Sequence, residues 1–267
     1  MRAGLTFKHW LYEERHGAAF LTMNRPEVHN ALDDVTIAEG LNALNEAEER
    51  DRVRFVVLAG AGESFCAGAD LSWMRRIRDL SKLDNIRDAE ALGELFHRIY
   101  TLRKPVIARV HGAARGGGTG LIAAADIVIA STDANFAFTE VKLGLVPAVI
   151  SPYLLRRMGE GPCRYFIVTG RKFDAAEGHR LGLVDRVVER AALDEAVEEH
   201  LRLLAENGPE AMATAKELLR AVGRATPEDA KVITTRMLAR IRTDEEAQEG
   251  FAAFLEKRKP RWASRKG

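Results

Sequence analysis

Residues 114–126 read ARGGGTGLIAAAD: three consecutive glycines, a fourth at Gly120, and then alanine-rich helix formers. Glycine costs an ordered segment about 0.5–1 kcal/mol relative to alanine, so a run of it in a placed segment marks backbone that something must approach closely. A strand pattern, PVIARVHG, leads in and a helical pattern leads out. That arrangement presents backbone N–H groups at a helix N-terminus, where they are preorganised donors and the helix dipole favours negative charge. A carbonyl oxygen that gains charge during a reaction needs two such donors, at about 2.7–3.1 Å. A second small-residue turn, FCAGADL at 65–71, also lies between a strand and a helix and could supply the other one.

Other chemistries fit less well. GTGLIA at 118–123 matches G-x-G-x-x-A, but GAARG separates it from its strand, and no acidic residue ends the next strand, DIVIAS, to hold a ribose. A P-loop fails because no Lys-Ser/Thr follows the glycines. His111 ends a strand with no second ligand at metal spacing, and HGAARGG contains no serine elbow. Cys66 sits beside the upstream turn without an evident base and reads as packing. Trp73 and Met74 could shape a pocket or belong to the core.

The elements that must hold these turns follow from pattern. The 267 residues are enough for one large core or a core with an appendage. LTFKHWLYEE and AAFLTMN read as two strands hinged at Gly17, and LDDVTIAEGLNALNEAEERD as an amphipathic helix capped by Asp33 or Asp34. VRFVVLAG, PVIARVHG and DIVIAS are buried strands, and a long helix over about 81–103 ends before Pro105. Beyond about residue 150 helices dominate, with one strand, LVDRVV, among them. The fold class is therefore α/β with a helical tail. Forty basic against 39 acidic side chains create no field for nucleic acid or an anionic membrane. Two cysteines form neither a disulfide framework nor a metal cluster. MRAGLTFKHWLYEER lacks the apolar segment of a signal peptide, so the reading is a soluble, cytoplasmic protein without membrane or nucleic-acid partners.

SFCAGADL, VHGAARGGGTGL, AAADIVIAS and FTEVKLGLVP, in that order, resemble the crotonase (enoyl-CoA hydratase/isomerase) superfamily, and the resemblance runs from NRPEVHNAL to AAFLEKRKPRW. It implies a crotonase-like ββα spiral core over 1–195 and a C-terminal helical region over 196–267 that builds homotrimers or hexamers. It also implies an acyl-CoA thioester substrate, with no metal and no cofactor beyond the coenzyme A that is part of the substrate. Carried over residue by residue, the oxyanion donors are the N–H groups of Ala69 and Gly117, and the catalytic carboxylate is Glu140. Ala67, Gly68, Asp70, Leu71 and Gly116 would line the pantetheine and thioester. Phe254 and Lys257 match positions near the CoA nucleotide.

One departure matters. Two-acid hydratases of the family carry a glutamate three residues after the central oxyanion glycine, and here that residue is Gly120. Hydration needs a base for water and an acid for Cα, so a lone Glu140 would have to relay the water's own proton. Two readings follow. One is a hydratase acting on a branched or carboxylated enoyl-CoA of the methylglutaconyl type, as in leucine degradation, which GADLSWM, AEALGELFHRIY and EVKLGLVPAVISPY resemble. The other is a Δ3,Δ2-enoyl-CoA isomerase with a single proton shuttle. An inert CoA- or RNA-binding relative is the non-enzyme alternative. On the first reading, Gly120 leaves space that the substrate fills, and Arg115 is the candidate partner for a substrate carboxylate.

Overall fold

In the computed structural model, residues 6–264 are described. The chain opens with β1 (Trp10–Arg15) and β2 (Ala18–Met23), an antiparallel hairpin joined by His16 and Gly17, both at positive φ (51° and 71°). Two left-handed residues give a hairpin connection whose twist matches the strands, so the hinge expected at Gly17 is present. Asp33 then caps α1 (Asp34–Glu49), accepting from the Thr36 N–H. β3 (Phe55–Gly60), α2 (Leu71–Ile77), α3 (Lys82–Thr101), β4 (Val106–Val110), β5 (Ala113–Arg115) and α4 (Gly117–Ala124) follow. Next come β6 (Ile127–Ser131), β7 (Asn135–Ala137), α5 (Ser151–Met158), α6 (Glu160–Thr169), β8 (Phe173–Asp174), α7 (Ala175–Arg180) and β9 (Arg186–Val188). The remainder is α8 (Leu193–Ala205), α9 (Pro209–Val222), α10 (Pro227–Thr243), α11 (Glu245–Leu255) and α12 (Arg261–Ser264).

The strands form a six-stranded sheet in the order β1-β2-β3-β4-β6-β9, parallel from β2 onward, and a three-stranded sheet β5-β7-β8. All six residues of β3 are buried. A parallel strand covered on both faces has this continuous apolar character, and the alternation of its side chains feeds two cores. Val56 and Leu58 face α1 and α3, joining Leu44 and Ile99. Phe55 and Val57 face α8, joining Leu193 and Val197. The boundary expected at 195/196 therefore cuts through α8. Ala196, Val197 and Leu201 of α8 bury with the sheet, and Met212 of α9 packs against the same cluster.

The strands of the larger sheet and most helices agree with the sequence pattern. The smaller sheet does not appear in it, because strands of two or three residues are too short to show a period. Beyond residue 150 the helices include α6, with a proline in its first turn, and α10, which buries none of its residues. No helix among the described residues is long and apolar enough to cross a membrane.

Candidate active site

The FCAGADL turn lies backbone against backbone with the glycine run. Cys66 N–H donates to Ala113 O at 3.1 Å, and Arg115 N–H donates to Cys66 O at 3.0 Å. On its other side, Leu32 N–H donates to Gly68 O at 2.7 Å, and Asp70 N–H donates to Leu32 O at 2.9 Å. This parallel bridge joins Leu32 to Ala69. In such a bridge the residues flanking Ala69 hold Leu32, so Ala69's own N–H and C=O point the opposite way. No acceptor for the Ala69 N–H is found among the described residues. Gly117 is the first residue of α4, where the leading N–H groups have no intrahelical partner, and it too has no acceptor. Gly116, at φ 45°, turns the chain into the helix, and its C=O accepts from Thr119 and Gly120.

Glu140 begins a short 3-10 turn, Glu140–Leu143, after β7. Its Oε1 lies 3.1 Å from where a Cβ on Gly116 would sit. Its Oε2 is buried and has no hydrogen-bond partner. Burial pushes the carboxyl above its ordinary value, and a hydrogen bond from its own backbone N–H offsets only part of this. The structure thus brings the Ala69 turn, Gly117 and Glu140 together.

The glycines have a different explanation from the one expected. A side chain at Gly117, Gly118 or Gly120 would clash with the protein itself. A Cβ on Gly117 would lie 2.8 Å from Leu32 Cδ1, one on Gly118 2.6 Å from Cys66 O, and one on Gly120 2.4 Å from Ile150 Cγ2 and 2.9 Å from Phe96 Cζ. Close packing of α4 onto the upstream turn and onto α3 and α5 excludes the side chains. The space expected beside Gly120 is consequently filled by Ile150 and Phe96, not left for substrate. Gly117→Val should displace Leu32, and with it the strand that fixes Ala69. We expect a folded variant whose turnover falls about 10-fold or more, since misplacing a reacting group by an ångström has effects of that order. Steady-state kinetics beside a thermal melt checks this, and unchanged turnover would separate Gly117 from the chemistry.

Several substrate-contact expectations need correction. Ala67, Ala69 and Leu71 are exposed, but Gly68 backs onto the Arg115 carbonyl at 3.1 Å (from its would-be Cβ), and Asp70 is buried. The Asp70 carboxylate caps α2, accepting from Ser72 N–H at 2.7 Å, and pairs with Arg25 at 2.9 Å. It is turned inward, so its side chain does not line a substrate path. Arg115 is also committed elsewhere. Its Nη1 donates to Ala114 O and Asn135 O, and its Nη2 donates to Asn135 Oδ1. The guanidinium ties β5 to β7, and its expected grip on a substrate carboxylate is lost. Phe254 is 83% exposed on α11, which packs on α9 and α10, and Lys257 follows it at φ 56°. Within one chain, no hydrogen bond or ion pair joins either to Glu140. A cleft of about 650 Å³ between α9, α10 and α11, lined by Thr214, Ile241, Phe251 and Trp262 among others, contains none of the residues of the candidate site.

Trp73, His111 and Cys66 are all buried. Trp73 is buried, and its Nε1 donates to Asp88 Oδ1 at 2.9 Å, so it is core. His111 Nε2 lies 3.0 Å from Gly62 O, and burial lowers its pKa. The Cys66 thiol is pushed by burial to about 12 and is inert as a nucleophile. No group of three or more His, Cys, Asp or Glu side chains able to hold a metal occurs among the described residues. What sequence reasoning missed is Arg25, the cation between Asp33 and Asp70. Its signal was present in NRPEVHNAL, but its partners lie 8 and 45 residues away.

The family model for enoyl-CoA hydratase/isomerase matches residues 13–265. A Thermus thermophilus relative is 37% identical over 249 residues, covering 93% of this chain and 98% of its own. The short-chain-enoyl-CoA hydratase of Clostridium acetobutylicum is 34% identical over 252 residues, covering 93% and 95%. Among solved structures, an enoyl-CoA hydratase from Shewanella pealeana superposes with a TM-score of 0.93 at 37% identity, covering 96% of both chains. The chain belongs to the enoyl-CoA hydratase/isomerase family and has the crotonase fold.

Proposed function

We propose that this chain hydrates an enoyl-CoA thioester with Glu140 as its single catalytic carboxylate. The observation that carries the reading is the buried, unpartnered Glu140 Oε2 beside two turns whose N–H groups at Ala69 and Gly117 are free. In this reading the thioester oxygen accepts from both N–H groups. Water attacks Cβ while Glu140 takes one of its protons, and the negative charge moves to the thioester oxygen as an enolate. The same carboxyl then delivers that proton to Cα, the enolate collapses, and the sum is one water added across the double bond. Burial helps the first half, because a raised carboxyl pKa makes Glu140 a better acceptor for the water's proton. The reaction uses no metal and no cofactor apart from the CoA carried by the substrate.

The acyl group we propose is short and branched, of the carboxylated methylglutaconyl type, on the strength of the resemblance in GADLSWM and EVKLGLVPAVISPY. Arg115 does not supply the cation that such a carboxylate would want. The filled space at Gly120 favours a second reading: with Ile150 and Phe96 where a second acid would stand, a Δ3,Δ2-isomerase shuttle needs one carboxylate and no water. We also propose that the protein works in the cytoplasm as a homotrimer or hexamer. Support for assembly comes from α10, which buries none of its residues, and from exposed Leu219, Leu238, Phe251 and Leu255.

Purified protein incubated with crotonyl-CoA, 3-hexenoyl-CoA and 3-methylglutaconyl-CoA separates these readings by product mass. The expected result is gain of one water, fastest with the methylglutaconyl substrate. A double-bond shift in 3-hexenoyl-CoA at unchanged mass would make it an isomerase. No change in any substrate would leave an inert CoA-binding relative.

A further inference from the structure

One buried guanidinium brackets the bridge that orients Ala69. Arg25 Nη1 donates to Ala31 O at 2.8 Å and lies 3.1 Å from Asp33 Oδ2, while Nη2 donates to Asp70 Oδ2 at 2.9 Å. Ala31 immediately precedes Leu32, and Asp70 immediately follows Ala69, so the guanidinium grips both strands of the Leu32–Ala69 bridge one residue away from it. Its two carboxylate partners are the N-caps of α1 and α2. The arginine backbone is fixed as well: its N–H donates to Asn30 Oδ1, and its C=O accepts from Asn30 N–H, both at 2.9 Å. All three charged side chains are at most 15% exposed.

We propose that Arg25 is a positioning residue that sets the direction of the Ala69 N–H toward the thioester oxygen. The proposal rests on the reading of Ala69 as an oxyanion donor. A planar fork is needed because three acceptors diverge from one point, and an ammonium on a flexible stem cannot reproduce that geometry. Burial alone would raise the Asp33 and Asp70 carboxyls. For Asp33 the Thr36 hydroxyl and N–H, Arg25 and His9 outweigh it, and for Asp70 the capping N–H donors and Arg25 do, holding both below their ordinary values, so the cluster stays charged and closed. The guanidinium is directed at Ala31 O, Asp33 and Asp70, so its effect on Ala69 passes through the backbone.

Arg25→Lys keeps the charge and removes the fork. The expected outcome is a kcat for crotonyl-CoA about 10–100-fold lower with KM nearly unchanged, the scale for misdirecting one donor. Infrared difference spectra of bound butyryl-CoA labelled at the thioester carbonyl supply the direct readout, because hydrogen bonds to that oxygen lower its stretching frequency. In the wild type the band should move down on binding. In Arg25→Lys it should return part of the way, and in Glu140→Gln it should stay down. A folded Arg25→Lys with wild-type kcat and an unmoved band would overturn the proposal. No downshift in the wild type would instead overturn the oxyanion reading itself. Should Arg25→Lys not fold, Asp70→Asn breaks the same contact from its other end while leaving Oδ1 to cap α2, and the same two outcomes decide.

Discussion

Glu140→Gln is expected to lower turnover of an enoyl-CoA by at least about 10²-fold while leaving the fold in place. Glutamine keeps the shape and one acceptor oxygen but cannot take a proton from water or return it to Cα. The Glu140 carboxyl sits in a half-buried position with Oε2 unpaired, and burial raises its pKa. The sign for activity follows directly. The carboxylate is the form that accepts the proton, so kcat/KM should fall as pH drops through the raised value, placing the acid limb above 4.5, the ordinary glutamate value. Stability runs the other way. A carboxyl whose folded pKa is raised binds its proton more tightly in the native state, so its contribution is best at low pH and declines as pH rises through the folded value. At pH 8 the glutamine variant should therefore melt no lower than the wild type. The pair of measurements, a pH–rate profile and a melt, separates loss of chemistry from loss of structure. A mild rate effect would move the proton transfer to another group.

The larger sheet and the site's location were legible in sequence for the same reason: both announce themselves locally. Buried β-branched runs such as VRFVVLAG fix strands, and four glycines between a strand and a helix fix a close approach. What approaches is not local. The partners of Gly117, Gly118 and Gly120 are Leu32, Cys66, Ile150 and Phe96, scattered over more than a hundred residues, and only the folded chain brings them together. Arg115 shows the same limit. Its position beside the oxyanion glycine suggested a ligand, yet Asn135 on the neighbouring strand takes its fork. The resemblance implies a substrate-facing Asp70, but Ala67, Ala69 and Leu71 alternate outward, and the residues between them turn in. Charge type and chain position say that a side chain can act; only packing says which way it points.

Gly120→Glu is expected to destabilise the protein rather than complete a two-acid site. The position matches the missing family glutamate, so sequence alone would recommend the change. Structure argues against it: the new Cβ would sit 2.4 Å from Ile150 Cγ2 and 2.9–3.0 Å from the Phe96 ring, and the residue is fully buried. Phe96 cannot simply swing aside, since it is 0% exposed and its ring meets Tyr153 edge-on at 6.2 Å. Overpacking of this kind costs about 1–3 kcal/mol, and a buried carboxylate without a partner adds several more. Replacing a helical glycine returns only about 1 kcal/mol. The net loss, about 3 kcal/mol or more, is a large fraction of the 5–15 kcal/mol typical of a folded domain. For a chain of this size it should lower Tm by about 6–12 °C. Crotonyl-CoA hydration should not rise. Ile150→Ala opens the tightest contact, so the double variant Gly120→Glu/Ile150→Ala should melt higher than the two single losses added together predict, with a coupling of about 1 kcal/mol. Strict additivity would mean that Ile150 does not hold the space. A stable Gly120→Glu protein with faster hydration would show that the second acid was merely absent, and that the apolar filling is no obstacle to it.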